Sequence, residues 1–209
     1  MRKKALALAL GILLTAQAMA AETPMKTYRG PEGSYEISYP ASWRMIDQDS
    51  IVPLLDEMAR GETRVAGVSL EAMQQYQTYM LLTPMVLFIQ DETGDNFYLY
   101  YVEDPTNVTT TTRQALAQMR EGLGEQLQTL CPDSQALDPG SMVTQGEQAY
   151  AHLSGSATID GAKSRQHLFI LLKGLRMYTL VFTFRQAEGE LAGDMTDIMN
   201  QVAESFRPG

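Results

Sequence analysis

Few residues of this sequence carry the chemistry that active sites use. Its 209 residues include one cysteine, Cys131, and two histidines, His152 and His167. A single cysteine excludes an intramolecular disulfide bond. The histidines lie in two different predicted strands, and neither stands in an HExxH frame. We therefore expect ordinary strand histidines, since a shared metal site would also need carboxylates that the fold brings close to them.

Motifs for nucleophilic catalysis and for phosphate binding are also missing. There is no Gly-x-Ser-x-Gly elbow, and Gly155-Ser156 falls inside a strand pattern rather than at a strand-to-helix turn. The run Gly30-Pro31-Glu32-Gly33 has neither dinucleotide-loop spacing nor a Walker lysine, so it predicts a turn. No pair of carboxylates stands out for general acid–base work. The sequence thus assigns no catalytic, cofactor-binding or metal-ligating residue, and it implies no cofactor.

Four short features each allow two interpretations. The run Asp91-Glu92-Thr93-Gly94-Asp95-Asn96 offers oxygen ligands for calcium, but the same residues are typical of a tight turn. Cys131 is either a redox or bridging thiol or a small buried hydrophobe. Asn107-Val108-Thr109 matches a glycosylation sequon, although chance explains so short a match. Four methionines fill the core or line an adaptable peptide groove, namely Met58, Met73, Met80 and Met85.

The N-terminus holds the one long apolar run that matters for targeting. Arg2, Lys3 and Lys4 precede an uninterrupted apolar stretch over 5–14, and Ala18-Met19-Ala20 gives the small-x-small pattern of a cleavage site. The run is too short to span a bilayer, which needs about 20 residues, although an uncleaved anchor is the alternative. We predict a signal peptide over 1–20, with a cut one residue later as the second choice. A single domain follows over 21–209, with 21–26 as a flexible lead-in.

Removal of the leader makes the chain strongly acidic. The whole chain carries 16 Lys and Arg against 25 Asp and Glu, a formal charge of −9, and three of those basic residues lie in the leader. The remaining domain is more acidic by the same three charges. Such a charge disfavours nucleic acids and anionic membrane surfaces as partners. We expect no nucleic-acid binding and no stable membrane anchor after cleavage.

Hydrophobic periodicity predicts a mixed chain of strands and helices. Alternation and continuous apolar runs indicate strands over 27–29, 34–39, 85–90, 97–102, 141–145, 148–158, 164–173 and 177–184. Stripes at three- and four-residue spacing indicate helices over 50–60, 69–83, 112–130 and 190–206. The segment 132–140 is predicted to be a polar loop. The nearly continuous apolar runs near the C-terminus indicate central strands covered on both faces, and the single Trp43 indicates a core anchor.

Two residue patterns in this order of elements resemble a known fold. The first is Tyr35-Glu36-Ile37-Ser38-Tyr39-Pro40 with Trp43, and the second is the apolar strand 177–184 before a helix that ends in Ser205-Phe206. Together they resemble PsbP-like proteins of photosynthetic membranes, the Ran-binding Mog family, and exported bacterial relatives such as DcrB-like envelope domains. The resemblance implies an α+β fold, an α/β/α sandwich with a mostly antiparallel central sheet. It also implies a non-catalytic binding or assembly subunit.

Function is therefore an expectation with alternatives. The first is an exported, non-catalytic module that binds another envelope or extracellular protein. A carrier of a small apolar ligand is the second. The third is an enzyme whose site is assembled from scattered residues around Cys131 and one histidine. Fold alone cannot choose among them, because function depends on a site.

The leader makes a direct prediction. When the full chain is expressed in an exporting bacterium, we expect mature material that begins at Ala21, because a signal peptidase reads the small residues at 18 and 20. N-terminal sequencing and intact mass of the exported fraction measure this. Exported material that still carries Met1 would contradict the prediction.

Overall fold

The computed structural model describes residues 23–103, 135–159, 162–185 and 193–209. Ten strands and three α-helices lie within these ranges. The strands are β1 (Met25–Arg29), β2 (Tyr35–Pro40), β3 (Arg44–Ile46), β4 (Met85–Ile89), β5 (Asn96–Glu103), β6 (Gln135–Gln145), β7 (Gln148–Ile159), β8 (Ala162–Lys173), β9 (Arg176–Arg185) and β10 (Arg207–Pro208). The helices are α1 (Ile51–Ala59), α2 (Leu70–Leu82) and α3 (Gly193–Ser205), and a 3-10 turn occupies Pro31–Gly33.

The strands form two antiparallel sheets. Seven of them pair in the order β3-β4-β5-β9-β8-β7-β6, and β1, β2 and β10 form a smaller sheet in the order β1-β2-β10. Every pairing between these strands is antiparallel. The α+β class with antiparallel sheets is confirmed. We expected one central sheet. Instead, the N-terminal strands do not pair with the large sheet and form a separate layer.

An aromatic ladder holds one face of the large sheet together. Phe88, Phe97, Phe182, Phe169 and Tyr150 lie on five neighbouring strands, β4, β5, β9, β8 and β7. Successive ring centroids are 4.5, 5.2, 5.6 and 5.6 Å apart. All five side chains are at most 1% exposed. Cross-strand aromatic pairs contribute about 0.5–1.5 kcal/mol each beyond the area they bury, so the ladder fixes the register of the sheet.

The two faces of the large sheet have different covers. The small sheet and α3 pack on the ladder face through β2 and through Ile198, Val202 and Phe206. Helices α1 and α2 pack on the opposite face near β4, where Met73 and Leu87 are fully buried. This gives the layered arrangement that the apolar stripes predict. Trp43 lies in the ladder-face core, as expected.

Local chemistry explains where the first two helices begin. Ser69 caps α2, since its hydroxyl accepts a hydrogen bond from the Ala72 amide at 3.0 Å. Ser50 occupies the N-cap position of α1 but makes no capping bond there. The Asp47 carboxylate instead fixes Ser50 itself, accepting from the Ser50 amide at 3.0 Å and from its hydroxyl at 2.7 Å.

Two predicted boundaries were wrong. Strand β1 starts at Met25, so the last residues of the predicted lead-in 21–26 are paired with β2. The predicted loop 132–140 is strand from Gln135 onward. Polar residues and Pro139 gave this segment the pattern of a loop. In the structure it is part of β6, an edge strand whose register shifts between Asp138 and Ser141. Proline is tolerated at edges and bulges because no ladder bond needs its missing N–H.

Several predictions lie outside the described residues. These are the leader, the helix over 112–130, Cys131 and the sequon Asn107-Val108-Thr109. Strands β7 and β8 pair as a hairpin. Within the described ranges no helix combines the length and apolarity that crossing a bilayer requires.

The hairpin between β4 and β5 is tightly packed at Gly94. Its φ is +76°, a left-handed conformation that favours glycine. A Cβ added here would overlap the carbonyl oxygen of Ala66 and approach the Arg185 guanidinium. Gly61 has a similar φ of +74° with open space around it. Comparing substitutions at these two glycines therefore distinguishes the cost of backbone strain from the cost of steric overlap.

We predict that Gly94→Ala destabilises the protein more than Gly61→Ala does. The left-handed backbone costs about 1–2 kcal/mol in both variants, and overlap adds about 1–3 kcal/mol at position 94 only. Chemical unfolding monitored by circular dichroism measures the difference. Equal losses in the two variants would show that the Ala66 contact is unimportant.

Candidate functional site

The four methionines singled out in the sequence are core residues. Met73, Met80 and Met85 are at most 8% exposed in the cluster that α1 and α2 form with the sheet, and Met58 packs against it. This matches the core-filling interpretation of their helical spacing. Met80 and Met85 nevertheless also reach the wall of a cleft.

The run from Asp91 to Asn96 is a turn in which protein groups bind one Asp91 oxygen and both Asp95 oxygens, while Asp91 Oδ1 and Asn96 Oδ1 are buried without a hydrogen-bond partner among the described residues. Asp91 accepts hydrogen bonds from the Arg44 guanidinium, with Nε at 3.0 Å. Asp95 accepts from the Thr93 hydroxyl at 2.7 Å and from the Arg185 amide at 2.8 Å. An arginine beside Asp91 opposes a second cation there. The turn interpretation therefore accounts for these residues.

The cleft lies where the small sheet meets the end of α2. Its volume is about 680 Å³. One wall is the end of β1 with the turn that leads to β2, and the loop 47–49 forms another. Residues 80–85, which end α2 and begin β4, face them, and Tyr101 of β5 and Arg176 of β9 complete the lining. Five separate stretches of sequence meet here.

Aromatic rings and one arginine form a connected group inside the cleft. The Tyr35 ring lies 6.1 Å from Tyr28 and 6.3 Å from Tyr101. The Arg176 guanidinium sits 5.0 Å from the centre of the Tyr101 ring, a cation–π contact. A hydrogen bond with Tyr178 raises the pKa of Arg176. Tyr178 in turn donates to the Ser34 carbonyl at 2.9 Å, so sheet and turn are joined beneath the cleft.

An apolar lip borders the cleft, formed by Leu81 and Leu82. Their exposed fractions are 67% and 76%, the two highest among the large hydrophobic residues that the structure describes. Both follow Met80 in the last turn of α2, at positions outside the buried stripe of the helix. Isolated exposed leucines are common, but here two adjoin a cleft.

The charged side chains of the cleft fall into two groups. Arg29 pairs with Glu36 at 2.9 Å, and Arg176 lies 3.7 Å from Glu103. Glu32, Asp47 and Asp49 have no ion pair with any described residue. Each cleft arginine therefore has a carboxylate neighbour, whereas Glu32, Asp47 and Asp49 have no cationic partner among the described residues.

Ser34 adds a buried polar group to the lining. The residue is 4% exposed, and its hydroxyl has no hydrogen-bond partner within the described part of the chain. A hydroxyl left in this state costs free energy unless a partner reaches it. Gly30 packs against it so closely that a Cβ there would overlap both Ser34 and Tyr35.

Comparison with solved structures identifies the architecture. The solution structure of cyanobacterial PsbP (CyanoP) from Synechocystis sp. PCC 6803 matches with a TM-score of 0.51 and 15% identity, over 94% of this chain and 99% of that one. The fold is PsbP-like. The resemblance stated from Tyr35–Pro40, Trp43 and the last strand is confirmed at the level of the fold.

Two further solved structures match this chain. A Bacteroides thetaiotaomicron crystal structure matches with a TM-score of 0.51 and 12% identity over 88% of this chain. This chain spans 48% of that protein's length. LpqN, described as involved in cell envelope biogenesis of Mycobacterium tuberculosis, matches at a TM-score of 0.37 and 15% identity over 90% of this chain and 86% of its own. No family model and no curated protein matches the sequence.

Sequence patterns missed the cleft of this PsbP-like chain. Residues such as Glu32, Asp49 and Arg176 belong to turns or strand ends and stand far apart in sequence. One signal was present: Leu81-Leu82 continues an apolar stretch beyond Met80, off the stripe that Met73 and Met80 define. An apolar pair outside the buried face of a helix indicates a contact surface.

The sheet also brings the two histidines together. His152 on β7 and His167 on β8 are diagonal neighbours, because His152 pairs with Phe169 and His167 with Ser154. His152 Nε2 and His167 Nδ1 are 3.0 Å apart, and the rings are stacked within 13°. They form a hydrogen-bonded pair at the end of the aromatic ladder. Within the described residues no set of three His, Cys, Asp or Glu side chains converges as metal ligands do.

Burial gives His167 an unusual titration. Burial chiefly, and then the charges of His152 and Arg165, lower the pKa of His167 to about 4. The unfolded imidazole binds a proton near pH 6.5, whereas the folded one stays neutral down to about pH 4. The stabilising contribution is therefore present above pH 6.5 and is lost as the pH falls toward 4.

We predict a histidine-dependent loss of stability in acid. Between pH 6.5 and 4 the free energy of unfolding should fall by about 1–2 kcal/mol more in the native protein than in His167→Gln, allowing for screening. Urea unfolding across this range measures it, and the variant subtracts the carboxylate contributions common to both proteins. An NMR titration of native His167 with a pKa near 6.5 would contradict the prediction.

Proposed function

We propose that this protein is an exported, non-catalytic binding module that docks a segment of another envelope or extracellular protein in the cleft. The observation that carries the proposal is the apolar lip, Leu81 and Leu82, beside a lined cavity. Burying one leucine side chain contributes about 1.5–3 kcal/mol. Two adjacent leucines therefore supply a useful anchor for a partner.

The composition of the cleft supports a protein partner. Protein interfaces are enriched in Tyr, Met and Arg and carry a central apolar anchor inside a polar rim. Here Tyr28, Tyr101 and Arg176 stand beside the apolar lip, with carboxylates around them. A small apolar molecule would fit the volume of the cleft. Such a molecule would leave Leu81 and Leu82 exposed to water, so the apolar lip favours a larger partner.

The state of the tyrosines supports a binding role rather than proton transfer. Burial raises the pKa of Tyr35 and, with Asp47, that of Tyr28. Both hydroxyls therefore stay protonated at neutral pH, where they offer ring surface and hydrogen bonds. A general base needs a pKa near the working pH.

Export is the location that fits such a module. Its support is the basic, apolar and small-residue sequence over 1–20. The net negative charge of the domain also favours its solubility when no partner is bound.

Site-specific photo-crosslinking tests the docking surface. We expect Leu82→p-benzoylphenylalanine to give a discrete protein adduct in the cells that normally export this protein, because the side chain points out of the lip. The adduct should disappear when Leu81→Gln is added. Gel shift and mass spectrometry of the adduct provide the readout.

The matched control places the same crosslinker at Met142, an exposed apolar residue on β6 at the far edge of the large sheet. We expect no discrete adduct from that position. The same adducts from 82 and 142, or none from 82, would refute docking at the lip. Circular dichroism checks that the Leu81→Gln chain is folded.

A further inference from the structure

We propose that the segment bound in the cleft is basic as well as apolar, with lysine or arginine beside the residues that contact the apolar lip. This inference rests on the docking function above and names the chemistry of the partner. It is carried by the carboxylates of the cleft, by the buried Ser34 hydroxyl and by the charge balance of the chain.

The carboxylates are available to a partner. Glu32 and Asp49 are exposed, and neither has a cationic neighbour within 4.0 Å among the described residues. Asp47 binds Ser50 through Oδ1 at the start of α1, so this oxygen is already engaged while the carboxylate still contributes its charge. The cleft arginines do not offset this charge, since Glu36 and Glu103 lie beside them. A cationic side chain would complete the electrostatics of this wall.

An aromatic ring lies among these acids. Tyr28 lines the cleft and is half-buried, and its ring edge meets the buried Phe88. Burial first, and then the charges of Asp47 and Asp49, raise the pKa of Tyr28. Tyrosine rings attract ammonium and guanidinium groups. Ring and carboxylates thus favour the same sign of charge.

Ser34 is the second, independent feature. It lines the cleft at 4% exposure with an unpartnered hydroxyl, while its own carbonyl accepts from Tyr178 and from the Gly209 amide. The hydroxyl is thus the one part of Ser34 that lacks a hydrogen bond, and because its oxygen is buried, a bound chain can pair with it only when the side chain rotates toward the cleft. An extended segment supplies both an amide and a carbonyl for this pairing.

The net charge of the whole chain also favours a basic partner. Its formal charge of −9 becomes more negative once the predicted leader, which holds only basic charges, is removed. An acidic protein attracts basic partners at long range and repels acidic ones, and salt weakens both effects.

Peptide binding tests the inference. The probes are an acetylated, amidated leucine-and-lysine peptide and two analogues in which glutamine or glutamate replaces each lysine. By calorimetry at low salt we expect the lysine peptide to bind about tenfold more tightly than the glutamate analogue. The difference should shrink at about 0.5 M salt.

Matched charge variants locate the effect. Glu32→Gln/Asp49→Asn should weaken the lysine peptide about threefold or more and leave the glutamine analogue unchanged. Asp56→Asn/Glu147→Gln removes the same net charge at exposed positions outside the cleft and should change neither affinity. Equal weakening by both double variants would overturn the assignment to the cleft.

The outcomes separate this inference from the docking proposal. Equal binding of all three peptides, lost in Leu81→Gln/Leu82→Gln, would keep the docking surface and overturn the basic specificity. If no peptide binds, the segment captured by the crosslinker at 82 decides: lysine or arginine next to the captured site supports the inference, and their absence overturns it. Absence of both peptide binding and adduct would refute docking itself.

Discussion

The aromatic ladder across β4, β5, β9, β8 and β7 is the constraint on which the rest of the structure depends. Five rings in direct contact fix five strands in one register. They also create an apolar face that has to be buried from water. The small sheet and α3 exist in their positions because they cover that face. Since a register shift of one residue would turn every ring to the opposite side, the ladder also fixes what lies at the ends of the strands.

The cleft forms at the edge of the small sheet, which covers the ladder face. The small sheet is held to β9 by the bond from Tyr178 to the Ser34 carbonyl, and the C-terminal Gly209 amide shares that acceptor. This contact sets the turn at Pro31–Gly33 opposite the end of α2, with Arg176 and Tyr101 between them. Packing thus places tyrosines, carboxylates and two leucines around one opening. The likeness to PsbP concerns the fold alone, so the chemistry of the cleft is argued from this chain's own residues.

Agreement between sequence and structure is best where burial dictates the pattern. Helix α2 follows from the Ser69 cap and from buried Met73 and Met80. Strands β8 and β9 follow from continuous apolar runs, because both lie inside the sheet. Strand β6 was missed over 135–140, since an edge strand needs neither alternation nor freedom from proline. The short strands β3 and β10 were missed because they offer too few residues for a period to show.

By itself, the sequence determined an export leader pattern, an acidic charge, the α+β class and the core position of Trp43, because each of these follows from local composition or from periodic burial. Only the tertiary structure decided that β1 and β2 form a separate layer, that His152 and His167 meet across two strands, and that five distant segments line the cleft. These features depend on the pairing of strands and on which loops meet. Such contacts join residues far apart in sequence, and no local pattern records them.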